Sequence, residues 1–174
     1  LLLNPRKEHW LSEGLQIYYL IKYVEENYPD KKLLGTLADV WGIRAFHASD
    51  LDFNFQYFLY SMEIARKNRD QPISTSKDSL TKFNANIAGK YKAGVGLNYL
   101  DHFTDDISLA KNITEFLKAY QLKSVKIDDF EDFIKSKTDK NIDWFFTDYI
   151  KTRKKIDFKI SSIEYTKDSL RLTI

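Results

Sequence analysis

Trp10-Leu11-Ser12-Glu13-Gly14-Leu15-Gln16-Ile17-Tyr18-Tyr19-Leu20-Ile21-Lys22-Tyr23-Val24 is the densest apolar stretch of the chain. Apolar residues fall on nearly every side of it, which predicts a buried helix over residues 10–28 rather than an amphipathic surface one. Pro29 stops it, because the residue before a proline is driven out of the helical region. Gln16, Lys22 and Glu25 interrupt the run and leave it too short and too polar to span a membrane. Within it Glu13 stands out. A carboxylate at the start of so apolar a helix costs free energy unless something cationic pairs with it, and the candidates are a helix N-terminus, an arginine or a metal.

Outward from this helix, apolar residues recur at helical spacing. Leu33, Leu34, Leu37, Val40 and Trp41 predict a shorter helix over residues 31–41, with Gly42 as its stop. Phe55, Phe58, Leu59, Met62 and Ala65 form a third stripe, entered through Asp50, Asp52 or Asn54 as a cap. Residues 69–76 are polar, contain Pro72 and read as a loop. A fourth helical segment starts near Ser76, pauses around Gly89 and resumes at Tyr91, where Gly94 and Gly96 permit another backbone to approach closely. Ile107 to Tyr120 carries the next stripe. Residues 128–131 resemble a capping box ahead of Phe133 and Ile134, and Ile142, Phe145, Phe146, Tyr149 and Ile150 end the helical part. From Asp157 the period changes to two: Phe158 and Ile160, then Leu170, Leu172 and Ile174, flank a turn at residues 166–169. That is a β-hairpin, marginal alone in water, so it either packs on the helices or opens a further β-domain.

Six Gly, three Pro and 15% aromatics among 174 residues fit a helical protein with an aromatic interior. The 27 basic and 25 acidic residues nearly cancel and are dispersed, so no nucleic-acid stripe is present. With no cysteine there is no disulfide framework, thiolate zinc site or Cys nucleophile. No nucleophile elbow, phosphate loop or dinucleotide fingerprint occurs. His9, His47 and His102 are far apart, and no two of them have the i, i+4 spacing that places a pair of imidazoles around zinc. Tyr91, at the start of its helix, is either a core aromatic with a wet hydroxyl or a donor to a developing oxyanion.

Two segments carry a resemblance. His9-Trp10-Leu11-Ser12-Glu13-Gly14-Leu15 looks like the Trp-Leu-Asn-Glu-Gly-Phe stretch of the M1 family of zinc aminopeptidases, the gluzincins. Downstream, Lys90-Tyr91-Lys92-Ala93-Gly94 is similar to that family's Tyr-Glu-Lys-Gly segment. Phe116 to Tyr120, Ile127 to Phe133 and Asn141 to Phe146 resemble the helices that follow, so the likeness runs over residues 8–155.

The resemblance implies a mainly α fold, the helical C-terminal part of a thermolysin-like catalytic domain with a helical extension, over residues 1–156, with 157–174 as the hairpin that starts a following β-domain. It implies Glu13 as a zinc ligand and Tyr91 as the catalytic residue that stabilises the tetrahedral intermediate. The cofactor is then Zn2+ in the full-length protein and not in this fragment, because the family's His-Glu-x-x-His helix places its second His about six positions before Leu1. The implied partners are a peptide or protein substrate and the remainder of the same catalytic domain, with neither nucleic acid nor a membrane span. Leu20 stands where many members have a second Glu, and Lys92-Ala93 stands for the usual Glu-Lys. Those two departures define the alternative, a catalytically inactive M1-like scaffold in which Glu13 is a buried cap and Tyr91 a core residue.

Overall fold

The first helix, α1 (His9–Asn27), forms where the apolar run predicts it, but its burial is uneven. Trp10, Leu11, Gly14, Leu15, Ile17, Tyr18 and Ile21 are buried, whereas Leu20 and Tyr23 face solvent. Ser12 and Gln16 are exposed as well, so the helix is one-sided along its length rather than buried all round. These coordinates come from a computed structural model, which describes residues 3–41, 50–156, 160–165 and 169–173.

Four more α-helices follow among the described residues: α2 (Phe55–Arg66), α3 (Gly89–Phe103), α4 (Leu109–Ala119) and α5 (Ile127–Lys135). The chain is mainly helical and ends in an antiparallel hairpin of β1 (Ser162–Tyr165) and β2 (Leu170–Thr173), as the sequence predicts. The pairing sets Ile163 against Leu172 and Tyr165 against Leu170, so one face of the ribbon is apolar, yet every residue of both strands is exposed. Phe158, Ile174 and the turn residues Thr166 to Asp168 lie outside the described residues, as do Gly42 and His47.

Three local readings need correction. The helix expected over residues 31–41 is a 3-10 turn, Gly35–Asp39, and Trp41 is 88% exposed. Gly35 sits at φ +51°, a left-handed conformation that interrupts a right-handed helix. Lys32 instead bridges to Asp52, through both backbone pairing and a 2.8 Å ion pair. At α2 the flanking Asn54 makes no side-chain cap; its amide donates to the Ile21 carbonyl at 3.1 Å and ties the helix to α1. The capping interaction of α5 starts two residues earlier than expected, with the Lys126 N–H donating to Asp129 Oδ2 at 2.8 Å.

The irregularity expected at Gly89 is real and has a geometric cause. A π-helical turn, Asn84–Ala88, precedes α3 and brings the Asn84 carbonyl to 2.7 Å from where a Gly89 Cβ would sit. A second π-helical turn, Phe145–Ile150, buries Phe145, Phe146, Tyr149 and Ile150. Its aromatics stack into the main core: Phe145 lies edge-on to Trp10 with centroids 6.5 Å apart, and Phe146 to Phe130 at 6.3 Å.

The central contact is α1 on α3. Ala93 Cβ is 2.8 Å from where a Gly14 Cβ would be, and a Cβ on Gly94 would collide with the Ile17 side chain. Gly96 likewise leaves room for the Tyr149 ring, whose hydroxyl donates to the Lys92 carbonyl at 2.8 Å. Substituting Gly94 by Ala forces overpacking at this crossing and is expected to cost about 1–3 kcal/mol. Urea denaturation of the variant checks this; an unchanged midpoint would show that the crossing is not tight.

Candidate functional site

The start of α1 is held by the loop before α3. Ile73 is buried in the main core, and the Ser74 N–H donates to the Ile150 carbonyl at 3.1 Å, which anchors the loop. From there Thr75 O meets His9 Nε2 at 3.1 Å, and the Lys77 N–H donates to the Arg6 carbonyl at 2.8 Å. Lys77 opens a short 3-10 turn, Lys77–Ser79, and sends its ammonium to Glu13 Oε1 at 2.6 Å.

Glu13 thus has a cation on one oxygen. Its other oxygen, Oε2, is buried without a hydrogen-bond partner and stands 3.5 Å from His9 Nδ1, which is also buried and unpartnered. His9 and Glu13 are one turn apart on α1, with side chains 3% and 21% exposed. Burial pushes the Glu13 carboxyl up, but His9 and Lys77 outweigh it and hold the group below its ordinary value. It is an ionised carboxylate in a half-enclosed setting.

Tyr91 lies in a smaller cluster built from Ile17, Ile21, Tyr57 and Val95. Its ring is edge-on to Tyr57 at 5.1 Å and tilted against Tyr60 at 5.8 Å, with Lys90 Nζ 5.3 Å above it. Among the described residues no hydrogen bond or ion pair joins Glu13 to Tyr91, and their polar partners differ. What they share is the α1–α3 crossing: Ile17, one turn past Glu13, packs in the Tyr91 cluster. The side chains themselves have separate surroundings, Glu13 with His9 and Lys77 and Tyr91 with Tyr57 and Tyr60.

Lys92, next to Tyr91, turns inward rather than toward that interface. Its ammonium is buried 3.6 Å from Asp70 Oδ2, and Arg153 approaches the other Asp70 oxygen at 3.4 Å. Burial lowers the Lys92 pKa against the opposing pull of Asp70. Leu20 is exposed on the far side of α1. His102 is exposed and lines an apolar cavity of about 390 Å³ with Tyr99, Phe103, Trp144 and Ile156, away from Glu13.

As a test of fit to zinc, Glu13 Oε2 has the right chemistry for a donor, being anionic, buried and free of hydrogen bonds, with His9 Nδ1 as its ion-pair neighbour at 3.5 Å. Among the described residues no group of three His, Cys, Asp or Glu side chains is placed to hold a metal. Sequence reasoning missed His9 and Lys77. His9 is four residues before Glu13, a spacing readable from the sequence but overlooked when histidines are compared only with one another. Lys77 is 64 positions away and carries no local signal. Compared with known protein families, curated proteins and solved structures, the chain matches none.

The sign of the Glu13 shift fixes a pH dependence. A carboxyl held below its ordinary value of 4.5 contributes stability above that pH and loses it as pH falls through the folded-state value. The stability advantage of the parent over Glu13→Gln should therefore shrink on acidification below pH 4.5, followed by chemical denaturation at a series of pH values. A difference that is constant across the acid range would mean that Glu13 is not held ionised.

Proposed function

We propose that this chain is part of a zinc-dependent metallopeptidase, an aminopeptidase of the M1 kind, in which Glu13 is a zinc ligand and Tyr91 the oxyanion donor. One observation carries the reading. An ionised, half-enclosed carboxylate keeps one oxygen buried and free of hydrogen bonds, one residue ahead of the glycine at which α1 crosses the helix of Tyr91. The motif resemblance around Glu13 and Tyr91 supports it independently. The remaining ligands and the general base belong, in this reading, to a His-Glu-x-x-His helix that residues 1–174 do not contain.

When bound, zinc supplies a Lewis acid and a water of lowered pKa. The chain's own groups do the rest. Lys77 occupies Oε1, which leaves Oε2 as the donor and makes Glu13 a one-oxygen ligand of fixed orientation. Tyr57 and Tyr60 hold the Tyr91 ring, so its hydroxyl is a pre-positioned donor for negative charge developing on a carbonyl oxygen. The apolar residues around them, Ile17 and Val95, keep water from the flank of α3.

A second reading has an observation of its own. The 2.6 Å pair with Lys77 is a sufficient structural partner for Glu13, as an inactive scaffold would use it. In the full-length protein, Tyr91→Phe is expected to lower kcat about 100-fold with zinc content unchanged, whereas Glu13→Gln lowers zinc content itself. Parallel metal analysis and steady-state kinetics decide this: unchanged kinetics for the Tyr91 variant would remove it from the mechanism. The isolated 174-residue chain should not hydrolyse aminoacyl anilides, and zinc-dependent turnover by it would overturn the division of the site.

A further inference from the structure

The outer face of α2 has little cover. The helix buries Tyr57 alone, while Leu59, Tyr60 and Met62 are 38–46% exposed. Single exposed apolar residues are ordinary on a protein surface, but these three line one cavity of about 750 Å³, with Leu33 and Leu34 as its opposite wall. That wall is held in place: the Leu33 N–H donates to the Leu51 carbonyl at 2.8 Å, and Lys32 pairs with Asp52 beside it. The volume falls within the range of about 300–1,000 Å³ usual for ligand sites, whose walls are likewise apolar with a few polar groups to orient the ligand.

The charged groups sit at the C-terminal end of α2, and they do not cancel. Glu63 is taken by Lys67 at 2.5 Å. Among the described residues no hydrogen bond or ion pair engages the guanidinium of Arg66 at that end, or of Arg69, which lines the adjoining cavity together with Glu63 and Lys67. Arg66, Lys67 and Arg69 thus face one carboxylate, and that carboxylate is already paired. A complementary ligand brings apolar side chains for the leucine walls and a carboxylate for Arg66, whose planar fork accepts both oxygens in parallel bonds. Tyr60 ties the cavity to the proposed site, because it lines the cavity and also lies against the Tyr91 ring with centroids 5.8 Å apart.

We propose that this groove is a peptide-binding subsite beside Tyr91, selecting substrates that carry apolar side chains next to a carboxylate. The proposal rests on the reading of Tyr91 as the oxyanion donor and adds a substrate class to it. Leu33, Leu34, Leu59 and Met62 receive the apolar side chains, and Arg66 receives the carboxylate.

The test is an NMR titration of the methyl-labelled 174-residue chain with the peptide acetyl-Leu-Leu-Asp-amide, with acetyl-Leu-Leu-Asn-amide and acetyl-Ser-Ser-Asp-amide as controls. Saturable movement of the Leu33, Leu34, Leu59 and Met62 methyls is the expected result, with both controls binding at least about tenfold more weakly. Arg66→Gln, an exposed substitution, should abolish the preference for Asp over Asn and leave the apolar contacts in place. Equal affinity of the parent chain for the Asp and Asn peptides would overturn the role of Arg66. Groove methyls that do not move, or movement confined to other residues, would overturn the subsite. None of these readings needs zinc or turnover, so they fail separately from the assignment of Tyr91: a filled groove alongside unchanged kinetics for Tyr91→Phe keeps the peptide site and overturns its link to catalysis.

Discussion

Close approach of α1 and α3 is the constraint on which the remaining geometry depends. It rests on residues with little or no side chain: Gly14 against Ala93, and Gly94 under Ile17. With the backbones this near, residues displaced by one turn in either direction are brought to the same seam. Ile17 and Ile21 lie on one side of it and Tyr91 and Val95 on the other. An ion pair between Lys22 and Asp101 at 2.6 Å closes the far end, so the two helices are gripped beyond their crossing as well. The packing also explains why so hydrophobic a helix has an exposed face: α3 covers one side of α1 and leaves Leu20 and Tyr23 in solvent.

Much of this was legible. Periodicity located α1, α2, α4 and α5, and the glycines of α3 announced a close contact before its partner was known. The sequence likewise marked Glu13, since a carboxylate in an apolar helix demands a partner. Other features lay beyond local pattern. The π-helical turns keep nearly the same apolar spacing as α-helix over one or two turns, so Phe145–Ile150 reads as ordinary helix. Gly35 was visible but outweighed by the leucines around it, and a single left-handed residue proved enough to prevent the helix expected there.

The loop before α3 shows most clearly what sequence conceals. Its polar composition reads as a connection, yet Ile73 enters the core and Thr75 and Lys77 each grip the first turn and a half of α1. The aromatic core is the support behind it. Trp10 packs on Phe145, Phe145 on Tyr149, and the Ile150 carbonyl holds Ser74, so the loop is registered to α1 through a chain of large, rigid side chains. A polar segment acquires a defined position because burial of Ile73 fixes one end and the bonds of Lys77 to Arg6 and Glu13 fix the other.

Asp70 and Glu13, each held by cations, make an instructive contrast. Asp70, nearly fully buried, has a cation near each oxygen, Lys92 at 3.6 Å and Arg153 at 3.4 Å, although its Oδ2 makes no hydrogen bond. Glu13 is treated unequally: one oxygen takes a close ammonium, and the other faces an imidazole nitrogen with nothing between them. At both carboxylates the oxygen that lacks a hydrogen bond lies 3.5–3.6 Å from a nitrogen, so attraction between charges rather than a short bond offsets the burial there. Exposure is what separates Glu13 from Asp70: its carboxylate is 21% exposed against 4%, and a close ammonium sits on one oxygen, so it keeps its charge in a half-open setting where Asp70 is sealed.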